Sequence, residues 1–92
     1  MHITMADVLE YINTRTDGQV IGYPLDSIRT LLARVADHRY PSIAWRVLDD
    51  GHIIGADTET GKPVTIKMPP DVLLIHQIFE NISKGVVLKG DL

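Results

Sequence analysis

The chain has no cysteine among its 92 residues, which excludes disulfides and every metal site built on thiolates. A reducing compartment suits such a chain. Aromatic residues are also scarce, with one tryptophan, one phenylalanine and three tyrosines, so the core has to be mostly aliphatic. No apolar run approaches the ~20 residues that a membrane-spanning helix needs. The opening Met1-His2-Ile3-Thr4-Met5-Ala6-Asp7 lacks the basic-then-apolar order of a secretory signal. A cytoplasmic protein without a membrane partner is expected.

Catalytic patterns are missing too. The four histidines, His2, His38, His52 and His76, are scattered without ligand spacing. No phosphate loop, nucleophile elbow or Cys/His pair occurs. Asp49, Asp50, Asp57 and Glu59 could be imagined as a carboxylate group for a metal, but they read as turn and loop residues. No catalytic residue, metal or cofactor is therefore expected, and the chain is read as a non-enzyme.

What remains is ordinary globular material, 45% hydrophobic and 23% charged, enough for one small domain over residues 1–92. The net charge is −3, unhelpful for a nucleic-acid binder, so its distribution matters more than its total. Residues 29–67 carry a net +1 and the rest −4.

Met5, Val8, Leu9 and Ile12 form a helical stripe behind Thr4 as N-cap, with Asp7 suited to the helix dipole. This predicts a first helix over about 4–15, stopped at Asp17-Gly18. Gln19-Val20-Ile21-Gly22 is a short β-prone piece that could add to a sheet edge. Leu25, Ile28, Leu31, Leu32 and Val35 predict a second helix over about 25–36, with Asp26 and Ser27 as capping residues.

Residues 41–50 are ambiguous. Ile43, Trp45 and Val47 alternate as in a strand, while Tyr40, Ala44, Val47 and Leu48 share one side of a helix. Beyond them, 52–57 and 63–68 read as a hairpin around a Gly-containing loop. Pro70-Asp71 opens a last helix over about 70–83, and Gly85–Lys89 is a β-prone tail.

The order helix, short strand, helix, ambiguous segment, hairpin resembles the winged helix-turn-helix superfamily over roughly residues 4–68. Val47-Leu48-Asp49-Asp50-Gly51-His52-Ile53 looks like the end of a recognition helix, with Gly51 as its left-handed stop before a wing. The loop Ala36–Pro41 is longer than the tight turn of DNA-binding members. The resemblance implies an α+β fold of three helices plus a β-hairpin wing, with an additional C-terminal helix at 70–83.

It also implies a DNA-binding transcriptional regulator with 41–50 as recognition helix on double-stranded DNA. Ser42, Trp45 and Arg46 would face the groove, with Arg34, His38, Arg39 and Lys62 on phosphates. Asp57 and Glu59 at the wing tip oppose that role. The rival expectation is a protein-interaction module that binds its partner through Trp45 and the last helix. That helix is greasier than one core face requires. Leu74, Ile75, Ile78, Phe79 and Ile82 are accordingly expected to form a homodimer interface.

Overall fold

A computed structural model describes residues 1–91. The elements are α1 Met5–Thr14, β1 Val20–Gly22, α2 Leu31–Arg39, β2 Ile43–Val47, β3 His52–Asp57, β4 Pro63–Lys67, α3 Pro70–Glu80 and β5 Val87–Leu88. This is an α+β architecture: three helices beside a three-stranded antiparallel sheet in the order β2-β3-β4. β1 and β5 pair separately as a two-stranded antiparallel ribbon. α2 packs against β2, α1 and α3, and so is the element the others share.

α1 forms as its sequence predicts. The Thr4 hydroxyl accepts from the Asp7 N–H at 3.3 Å, and the Asp7 carboxylate accepts from the Thr4 N–H at 2.9 Å. This reciprocal capping box satisfies two backbone donors that the helix end leaves free. Val8 and Tyr11 are buried.

The segment 41–50 is not a helix. Ile43, Trp45 and Val47 bury while Ala44 and Arg46 face out, the period of a half-wet strand. β2 pairs with β3 from Ile43↔Asp57 to Val47↔Ile53, so its backbone groups are satisfied laterally. Ala44, placed on the buried side by the helical reading, is exposed. Gly51 does take the left-handed conformation expected of it, with φ 93°, but it closes a hairpin. The Leu48 N–H donates to the His52 carbonyl at 2.9 Å across Asp49-Asp50-Gly51, a three-residue connection ending in a left-handed glycine.

The second helix also differs from expectation, beginning at Leu31 rather than 25. The Asp26 carboxylate accepts from the Ile28 and Arg29 N–H groups, each at 3.1 Å. That local turn competes with helix formation. Leu25 takes φ 64°, and both Leu25 and Ile28 lie on the surface.

α3 starts with Pro70 in its first turn, where a missing N–H costs nothing. It ends at Glu80, earlier than 83, as the Asn81 side chain donates back to the Gln77 carbonyl at 2.8 Å. Its inner face is Val72, His76 and Phe79.

The core is one cluster drawn from all three helices and both sheets. Trp45 lies in it, opposite Gly55 in the β2–β3 register. A Cβ on Gly55 would stand 2.8 Å from the Trp45 ring and 2.7 Å from Ile43. The absence of a side chain at Gly55 is what leaves room for the indole.

Candidate functional site

An apolar groove of about 610 Å³ runs between α1 and α3. Met5, Leu9 and Ile12 form one wall, Ile75 and Ile78 the other, and Val8 and Phe79 the floor. Leu9 is 54% exposed and Ile78 52%, and Leu74, one turn before Ile78 on α3 and outside the groove's lining, is 56% exposed. Helical periodicity explains the geometry. α1 buries Val8 and Tyr11 against α2, and the remaining stripe residues are left along the seam with α3. The exposed charged side chains on the two helices, Glu10 and Asp71, are both acidic, and neither helix holds a Lys or Arg.

Asp91 lies at the groove's edge. Its carboxylate accepts from the Leu88 N–H at 2.8 Å and meets Lys84 Nζ at 3.1 Å. The backbone hydrogen bond first, and the Lys84 ammonium second, hold its pKa below the ordinary aspartate value. Asp26 is likewise lowered, chiefly by its hydrogen bond from Arg29.

The five residues expected at a dimer interface therefore divide. Leu74 and Ile78 stand out to solvent, and Ile75 and Ile82 are half-buried. Phe79 is core and offers no contact surface, because the inward stripe of α3 sets it against Gly22. Leu9, which the stripe of the first helix places in the core, belongs to the groove.

Behind α3 lies a small polar cavity of about 90 Å³ lined by Thr30, Asp49, His76 and Glu80. The Leu25 N–H and the Thr30 hydroxyl both donate to the Glu80 carboxylate. His76 is 4% exposed, with Nε2 3.5 Å from Asp49 and Nδ1 3.6 Å from Glu80. Among the described residues neither ring nitrogen has a hydrogen-bond partner. Among the described residues no three His, Asp or Glu side chains converge as metal ligands. No helix among them is long and apolar enough to cross a membrane.

The residues read as DNA contacts do not form one reading surface. Trp45 is 7% exposed and donates through Nε1 to the Tyr40 carbonyl at 3.1 Å. It is a core residue, because β2 turns it inward, and so it is neither a groove contact nor a partner anchor. Ser42 and Arg46 are exposed at the start and on the outer face of β2. Arg39 is occupied near Asp7 at 3.7 Å and over the Tyr40 ring.

Lys62 sits in the β3–β4 loop. The Asp57 carboxylate organises that loop by accepting from the Glu59 and Thr60 N–H groups at 2.8 and 3.1 Å. Asp57 is thus a turn-former. Arg34 and His38 alone come together, at a cleft that also receives Arg15 and Arg29. Arg15 was not singled out by its sequence, since only the packing of α1 on α2 brings it there.

Comparison of the chain with models of known families, with curated proteins and with solved structures finds no match in any of the three.

Proposed function

We propose that this protein is a partner-binding module whose working surface is the groove between α1 and α3. The occupant is one amphipathic helix of a partner protein, with apolar anchors flanked by Lys or Arg. A single observation carries the reading: an apolar trough open to solvent between two helices that lack any basic side chain.

Size favours a single helix over a second copy of the chain. Leu9 and Ile78 in the groove, with Leu74 a turn away on α3, expose at most a few hundred Å², roughly the largest patch of an ordinary monomer. A stable protein–protein interface takes ~800 Å² from each partner. α1 has 10 residues and so runs about 15 Å, the length of a three-turn helix with anchors at i, i+3 or i+4, and i+7. Asp91 at the groove's edge and the exposed Glu10 and Asp71 elsewhere on α1 and α3 are all acidic, a field that favours basic flanks over acidic ones.

The winged helix-turn-helix regulator reading depends on a helix at 41–50 to enter the major groove. With a strand there and Trp45 turned inward, no specific observation favours it over the groove.

The test uses the full chain and a synthetic helix of about 14 residues with leucine anchors, made in Lys-flanked and Glu-flanked forms. In an NMR titration the Lys-flanked peptide is expected to shift amides of α1 and α3, more strongly than its Glu-flanked twin. Ile78→Asp is expected to abolish the effect. Shifts elsewhere, or none, reject the proposal. A stable dimer in sedimentation that Ile78→Asp dissolves would give the groove to a second copy instead.

A further inference from the structure

We propose that the cleft between the end of α1 and the face of α2 binds a phosphate-bearing small molecule of nucleotide size. The cleft has a volume of about 450 Å³ and is lined by Tyr11, Arg15, Arg29, Arg34 and His38, with Trp45 at its base. That volume falls within the range of small-ligand pockets. In a chain with more acidic than basic residues, three guanidinium groups line this cleft, and among the described residues Asp37 is the one carboxylate lining it with them.

Two of those guanidinium groups have no carboxylate partner among the described residues. Arg15 and Arg34 are both half-buried, and none of the ion pairs formed by the described residues includes them. A half-buried cation left without a counterion has given up water without recovering an equivalent attraction. An anionic ligand supplies one.

The cations are also held in place. Arg34 Nε donates to the Tyr11 hydroxyl at 2.8 Å, which leaves its terminal N–H groups for an outside acceptor. Arg15 lies 5.2 Å from the centroid of the same ring, and its Nε donates to the Thr14 hydroxyl at 3.3 Å. The Lys89 ammonium donates to the Arg15 carbonyl at 2.7 Å and fixes that backbone. Arg29 is tied to Asp26 at 2.7 Å and stacks over Tyr23. His38 stands edge-on to Tyr11 with ring centroids 5.6 Å apart.

Guanidinium forks fixed in advance suit the oxygens of a phosphate, which they bind in pairs. Little side-chain freedom is then left to lose on binding. The cations line a single cleft, which suits a compact phosphate better than the extended backbone of a duplex.

Trp45, the sole tryptophan, lines the cleft and reports on it. The full chain is titrated with pyrophosphate, a nucleoside monophosphate, the unphosphorylated nucleoside and a short DNA duplex, followed by Trp45 emission and by calorimetry. The two phosphate compounds are expected to bind saturably, and the bare nucleoside is not. Arg15→Gln and Arg34→Gln should each weaken binding by about tenfold or more, whereas Lys62→Gln, in the β3–β4 loop, should not.

Arg34→Gln also loses the Tyr11 hydrogen bond, so circular dichroism checks its fold, and Arg15→Gln gives the result without that loss. Absence of saturable binding overturns the proposal. So does equal weakening by Lys62→Gln, or binding of the duplex where the small phosphates fail.

Discussion

Glu80 does more for this fold than its position at a helix end suggests. Its carboxylate takes the Leu25 N–H and the Thr30 hydroxyl, and so pins the loop that precedes α2. With a side chain only 13% exposed, its removal leaves the hydroxyl of Thr30, itself 1% exposed, without a partner. Glu80→Ala is therefore expected to cost about 2 kcal/mol in urea unfolding. A loss below about half that would mean the loop is held by other contacts.

Gly55→Ala should lower the melting temperature, by roughly 1–3 kcal/mol of stability, since its methyl meets Trp45 and Ile43 inside contact distance. The lowered pKa values of Asp91 and Asp26 carry a sign. Each carboxylate's hydrogen bonds are complete above the ordinary aspartate range and are lost as pH falls through the lower folded-state value. In an NMR titration the Leu88 and Ile28 amide shifts should move with midpoints below that of a free aspartate. Midpoints at or above it would contradict the geometry.

At the scale of elements, α3 separates stability from binding. Its inward Val72 and Phe79 belong to the core, while Ile78 is half in solvent. Ile78→Asp should therefore cost no more than about 1 kcal/mol in denaturant while removing the amphipathic peptide's binding. A collapse of the fold would show that Ile78 supports the core.

α3 was legible because its apolar stripe is wider than one face can bury, and α1 because Thr4 and Asp7 form a local cap. β2 was not. Tyr40, Ala44 and Val47 fit a helix as well as Ile43, Trp45 and Val47 fit a strand, and what decides is a partner strand beyond the turn. The local clue was Asp50-Gly51 between apolar runs, a hairpin signal as much as a helix stop. The start of α2 was missed because Asp26 caps a turn of its own. That Arg15 and Arg34 line one cleft had no signal, because the cleft arises only when two helices dock.

For the whole molecule, α1 serves two surfaces. Leu9 and Ile12 face the groove, and Tyr11 with Arg15 faces the cleft. The two should act separately: Arg15→Gln is expected to leave the peptide-induced shifts intact, and their loss would mean that α1 itself had moved. The ribbon of β1 and β5 has another consequence. Val20 pairs with Leu88, and the Lys89 N–H donates to the Gln19 carbonyl at 2.8 Å, so an early segment waits for a late one. At ~5–20 residues per second of translation, a nascent chain emerging from the ribosome holds β1 without its mate for several seconds. During that interval the half-finished domain is exposed to chaperones and proteases.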